Sequence, residues 1–293
     1  MLRALLQVWL FCFLIPNFLF SQIWSENFDT LPNGTTEFLP KWASSALDCD
    51  DGMINSGFGD SYWGVLDGRF VVNDIEGFPC CSGLGSGGGG NQNDWISEKI
   101  SIFKYCDISI SVEVIAEGPM ECDSPDEAIF ICTGLNPPDN SHDQVVAEFS
   151  LDGGDFQEFG YVCGSENSGV LAVTGLNGDS LQIRVRAANT GNTEFYFLDN
   201  IQINGTLRDT TTFNLPDNIC ESAPPYILPF LSNEGHAGLW NFDSVFDPTG
   251  FSGSFATLEF IPFETECALR FTDSVEVLSD SFGIFDTIIC LED

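Results

Sequence analysis

Carboxylates dominate the chemistry open to this sequence: 44 Asp and Glu stand against 9 Lys and Arg, a formal net charge of −35 over 293 residues. Two acidic segments bracket the N-terminal two thirds of the chain. Glu26 and Asp29 lie in Ser-Glu-Asn-Phe-Asp-Thr, residues 25–30, and Asp199 lies in Phe-Leu-Asp-Asn-Ile, residues 197–201. In closed antiparallel sandwiches the first and last strands often lie side by side, which would bring these carboxylates together. Carboxylates gathered away from water repel unless a cation or protons intervene. Ca2+, with about six to eight oxygen ligands, suits such a set. A structural calcium site of Glu26, Asp29 and Asp199 is one expectation. The other is that Asp29 and Asp199 act as turn and strand-end residues bonding backbone amides. A second run, Asp48, Asp50 and Asp51 before Gly52, approaches a calcium loop, but its Gly comes one residue early and no closing Glu follows.

Catalytic constellations are missing. The sequence holds no Gly-x-Ser-x-Gly and no His-Glu-x-x-His. The clustered acidic strand motif of jelly-roll glycosidases, Glu-x-Asp-x-x-Glu, is absent, and Phe263–Glu266 is its nearest echo. The chain is therefore expected not to be an enzyme. Aromatic residues offer a binding chemistry instead. Trp42, Tyr62, Trp63 and Trp95 lie in or beside an irregular stretch, residues 41–93. Trp63 and Trp95 are the candidate ligand-binding residues, because exposed rings can stack on sugar faces. The competing expectation is that they pack in the core, the commoner fate of Trp. The Gly-rich run at residues 83–94 has no following Gly-Lys-Ser/Thr and reads as a surface loop rather than a phosphate cradle.

The elements that must position these residues begin behind a leader. Residues 1–21 carry one Arg, a long apolar stretch broken by Pro16, and a small residue at Ser21. They read as a secretory signal peptide cut near Ser21–Gln22, with a membrane anchor as the alternative. No later segment is apolar over enough length to span a bilayer. A secreted or extracellular location, with or without surface attachment, makes sense of eleven cysteines with no Cys-x-x-Cys pair: disulfides are the default there. The net negative charge repels phosphate backbones and excludes nucleic acid as a partner.

Period-two alternation recurs from residue 23 to 205. Ile108, Ile110, Val112 and Val114 share one face of a strand. Val145, Ala147, Phe149 and Leu151 share another, and Leu181, Ile183, Val185 and Ala187 point inward while Gln182, Arg184 and Arg186 point outward. Asp152-Gly-Gly marks a hairpin turn. No sustained helical period occurs. The expected fold is all-β: a jelly-roll β-sandwich over residues 22–206, a linker at 207–212, and a smaller Ig-like β-sandwich over 213–282. The chain's last residues, Phe-Asp-Thr-Ile-Ile-Cys-Leu-Glu-Asp, repeat the opening of that smaller unit around Cys220. The spacing from Cys220 to Cys290 suits a repeat, so residues 283–293 read as the start of a second, truncated copy in a longer multidomain protein.

The smaller unit resembles the Ig-like repeats of large secreted proteins from gliding bacteria of the Bacteroidetes type. The likeness rests on Leu215-Pro216, Ile219-Cys220, Leu228-Pro229, Ser232-Asn233-Glu234-Gly235, Gly238-Leu239-Trp240, Asp247-Pro248, Ser252-Gly253-Ser254-Phe255 and Cys267-Ala268, in that order. The first unit, with Glu26–Thr30 and Phe197–Ile201, resembles the N-terminal domains attached to such arrays and, more loosely, MAM-like and concanavalin-like adhesion jelly rolls. The resemblance implies a secreted or cell-surface, noncatalytic adhesion or carbohydrate-binding protein. Its partner would be an extracellular polysaccharide or a cell-surface glycan. The alternatives are a purely structural stalk or spacer, or an exported hydrolase. A Cys220–Cys267 disulfide is expected, because it closes one Ig-like unit.

Overall fold

The structure, a computed structural model, describes residues 20–46, 61–75, 93–120, 143–164, 168–189 and 192–279. The Asp48, Asp50 and Asp51 run, residues 83–92 of the Gly-rich stretch, Cys80, Cys81, Cys290, most of the expected leader and the expected second repeat lie outside these residues. Every regular element described is a strand apart from one 3-10 turn, Glu264–Glu266. The all-β expectation holds.

The first unit contains β1 (Phe20–Glu26), β2 (Trp42–Ser45), β3 (Tyr62–Leu66), β4 (Arg69–Asn73), β5 (Asp94–Ser97), β6 (Ile100–Ser101), β7 (Tyr105–Glu117), β8 (Gln144–Leu151), β9 (Gln157–Cys163), β10 (Gly169–Leu176), β11 (Ser180–Ala188) and β12 (Phe195–Leu207). One sheet runs β10-β7-β12-β4-β3, with β1 also on β12. The other runs β2-β5-β11-β8-β9, with β6 also on β11. Their inner faces share one apolar core, including Ile108, Ile110, Val112 and Val114 from β7 and Leu181, Ile183, Val185 and Ala187 from β11. Each such aliphatic side chain contributes about 1.5–3 kcal/mol on full burial, which is what fixes the register.

Local chemistry sets the connections. Asp152 and Gly153 both have positive φ, 54° and 77°, and Gly154 N–H bonds the Leu151 carbonyl at 2.9 Å. This is the mirror-image turn whose twist matches an antiparallel pair, and β8 and β9 pair across it. β12 is long enough for β4 and β1 to share one of its edges in succession, β4 on 195–198 and β1 on 201–206. The first and last strands of the unit do lie side by side, antiparallel. Among its described residues the irregular stretch holds three strands, β2, β3 and β4, each too short to show a period in sequence.

The smaller unit holds β13 (Asn218–Cys220), β14 (Tyr226–Ile227), β15 (Gly238–Trp240), β16 (Val245–Phe246), β17 (Ser254–Pro262) and β18 (Phe271–Leu278). They form a four-stranded sheet, β13-β18-β17-β15, and the pair β14-β16. Its own core gathers Leu228, Trp240, Phe246, Leu258, Phe260, Val275 and Val277. Gly238 of the Gly-Leu-Trp motif lies so close to β17 that a Cβ there would collide with the Ile261 carbonyl oxygen.

Residues 207–212 are tied on both sides. Arg208 N–H donates to Lys104 O and its Nε to Tyr105 O, each at 2.8 Å. Asp209 N–H donates to Cys267 O at 2.9 Å and Leu269 N–H to Asp209 O at 2.8 Å. The expected Cys220–Cys267 disulfide does not form: Cys267 is bonded to Cys106 of β7, Cα–Cα 5.5 Å. The reason is placement. Cys267 follows the 3-10 turn in left-handed conformation, φ 37°, beside the chain leaving β12, whereas Cys220 sits on β13 opposite Leu278. Cys220 and Cys163 are also disulfide-bonded, to other partners.

Candidate functional site

The three expected metal residues are only partly brought together. Glu26 is buried and fully used: Oε1 accepts the N–H groups of Asn27 (3.0 Å) and Phe28 (2.9 Å), and Oε2 accepts Trp42 Nε1 at 3.0 Å and pairs with Lys41 Nζ at 3.1 Å. It pins the turn after β1 to the core and leaves the proposed cation set. Asp199 sits where β12 bulges, between the stretch facing β4 and the stretch facing β1, with Asn200 at φ 46°. Burial raises its carboxyl above the usual range; the Asn200 N–H opposes this, and the Glu113 and Asp29 charges add to it. Asn200 Nδ2 donates to Glu113 at 2.7 Å. Among the described residues, no three His, Cys, Asp or Glu side chains group so as to hold a metal ion.

Trp63 and Trp95 are core residues, 2% and 0% exposed, which corrects their assignment as a sugar platform. Both project inward from their strands. Trp63 meets Phe70 edge-on at 5.1 Å, and Trp95 lies 5.9 Å from Trp42 and 6.3 Å from Phe28. Neither has a ring face open to a ligand.

The outer face of the second sheet carries a denser constellation. Strand register lays two rows across it. One is Ser45, Asp94, Arg186, Val146 and Tyr161; the other is Ala43, Ile96, Arg184, Glu148 and Glu158. The alternation of β11 that sends Ile183 and Val185 inward sends Arg184 and Arg186 to this face. Glu148 on the neighbouring strand receives both: Arg184 Nε at 2.7 Å and Arg186 Nε at 2.9 Å on Oε2, with Arg186 Nη2 at 2.8 Å on Oε1. Arg184 also lies over the Phe156 ring, 4.1 Å from its centre.

Two partners here are left with capacity to spare. Arg184 is held by Nε alone, so its terminal N–H groups have no hydrogen-bond partner among the described residues. Asp94 Oδ1 is buried without a hydrogen-bond partner among them. Burial pushes the Asp94 carboxyl up, the guanidinium groups of Arg184 and Arg186 pull it down, and Glu148 adds to the rise. Tyr161, at the end of the first row, is 44% exposed. A fixed donor, an unsatisfied acceptor and an aromatic edge therefore share one sheet face. The outward placement of Arg184 and Arg186 was legible in the alternation of β11, but Glu148 and Asp94 join them only through strand pairing. The outward side of β8 is itself buried at Val146, Glu148 and Ser150, where alternation predicts a solvated face.

No protein-family profile and no curated protein matches the chain. Among solved structures it is similar to the K3 cleaved adhesin domain of Lys-gingipain from Porphyromonas gingivalis, at 12% identity over 63% of this chain and 98% of that one, TM-score 0.35. It is also similar to a CBM4 module, at 12% identity over 60% of this chain and 100% of that one, TM-score 0.31. A third is the CBM22-1 xylan-binding domain from Paenibacillus barcinonensis Xyn10C, at 14% identity over 64% and 96%, TM-score 0.27. Likeness at this level carries no functional argument, and the chain's own geometry has to.

Proposed function

We infer that the first sandwich is a noncatalytic binding module that takes a hydroxyl-rich ligand, a polysaccharide or cell-surface glycan, on the outer face of its second sheet. The observation that carries this reading is the guanidinium edge of Arg184, without a hydrogen-bond partner among the described residues, within electrostatic reach of the Asp94 carboxyl. Neighbouring sugar hydroxyls each donate and accept, so a diol can take N–H bonds from Arg184, while the Asp94 carboxyl, with Oδ1 buried, sets the charge beside it. Glu148 holds both arginines in place before the ligand arrives, which lowers the ordering cost of binding. The same engagement argues against catalysis: a carboxylate with both oxygens committed to guanidinium groups is poorly placed to exchange protons with a substrate.

An exported, extracellular location fits the disulfides, since such bonds persist outside the reducing cytosol. No helix among the described residues is long and apolar enough to cross a membrane. A second reading, a structural spacer of a larger surface protein, is favoured by the burial of Trp42, Trp63 and Trp95 and by the stapled junction. A glycan array probed with the full chain separates the two. Binding to a defined class of glycan, with no reducing sugar released, supports the module. Silence across the array supports the spacer, and sugar release restores a hydrolase.

A further inference from the structure

We propose that the outer face of the smaller sandwich, centred on Leu239 and Ile261, docks a cationic polypeptide through an apolar face of its own. Leu239 of β15 and Ile261 of β17 are direct cross-strand partners whose side chains point away from the core, because their neighbours Trp240 and Phe260 point into it. The patch extends from this pair. Phe263 N–H bonds the Ala237 carbonyl, Ala237 is bridged to Leu231, and the Phe263 ring lies 6.1 Å from that of Phe230. Phe230, Leu231, Leu239, Ile261 and Phe263 are each 40–59% exposed. Contiguous apolar surface of this kind marks an interaction site.

The sheet itself does not require these residues. Farther along the same face the paired positions are polar, Thr257 opposite Ser274 and Glu259 opposite Thr272. The apolar side chains cluster at one end, with Phe255 standing singly at the other opposite Glu276, and charge selects what can cover the cluster. Glu259 is the next outward position on β17, Glu264 follows Phe263, and Arg270 is the one Arg or Lys in residues 213–279. An apolar centre edged by carboxylates is complementary to an apolar centre edged by Lys or Arg. A second copy of the chain, with a formal net charge of −35 on each, is disfavoured by like-charge repulsion, and so is an anionic lipid surface.

The test uses the full chain and a synthetic amphipathic helix of Leu and Lys as the probe, with oligolysine of equal charge as the control for bulk attraction. The Leu/Lys peptide is expected to bind about tenfold tighter than oligolysine. A Leu239→Thr/Ile261→Thr double variant is expected to remove that difference without moving the melting temperature, since both side chains face outward. Phe230→Ser, off the paired strands, gives an independent loss if the double variant melts low. Equal binding of the two peptides, or an advantage that survives both variants, overturns the proposal. Capture of the chain by phosphatidylcholine vesicles, or concentration-dependent self-association abolished by the double variant, overturns it in favour of a lipid surface or a second copy.

Discussion

Cys106 and Cys267 are joined by a disulfide although 161 residues separate them in sequence, and the bond links β7 of the large sandwich to the turn preceding β18 of the small one. It lies beside main-chain bonds from Asp209 to Cys267 and Leu269. Among the described residues the two cores share no side chain, and this seam couples them.

Cutting the seam is expected to uncouple the two units. Cys106→Ser/Cys267→Ser should cost about 2–5 kcal/mol and resolve thermal unfolding into two transitions. Differential scanning calorimetry checks this, and a single transition at the parent temperature contradicts it.

The tryptophans should behave as core. Trp63→Ala and Trp95→Ala are each expected to lose about 3–5 kcal/mol of stability, read from denaturant midpoints. A loss of ligand affinity with an unchanged midpoint would return them to the surface.

These rings show where the sequence stops being informative. β7 and β11 alternate over nine residues or more, and their buried sets are legible in the text. Trp63 and Trp95 stand on strands of five and four residues, amid Gly and Asp, where no period can develop. Cys267 likewise could not be matched to Cys106 from spacing, because the match depends on where β12 delivers the chain. The binding face is half legible for the same reason: local alternation places Arg184 and Arg186, while Glu148 and Asp94 reach them through long-range strand register.

Asp199 gives a pH signature. Its carboxyl titrates higher folded than unfolded, so its stabilising effect is present below the unfolded value of about 4 and is lost as pH rises through the folded value. Asp199→Asn should therefore raise the melting temperature at neutral pH. Bound Ca2+ would reverse that sign, since the ion would be stabilised by the charge. Melting curves with and without chelator distinguish the two, and a variant that melts lower only when calcium is present establishes the metal.

Glu234 predicts the opposite dependence. Bonds from the Thr212 hydroxyl and its N–H, the latter 2.8 Å, hold the carboxyl down at about 2. The stability it contributes is present above the unfolded value and is lost as pH falls toward about 2. Glu234→Gln should flatten acid unfolding of the smaller unit over that window; an unchanged acid limb contradicts the clasp.

The most direct measurement of the binding face is calorimetric titration of the full chain and of Arg184→Leu with a glycan retained on the array. Loss of a hydrogen bond to a charged group costs about 1.5–3 kcal/mol, so the variant should bind at least about tenfold more weakly with its fold intact by circular dichroism. Parent-like affinity in this variant would contradict the assignment of the ligand to the outer face of the second sheet.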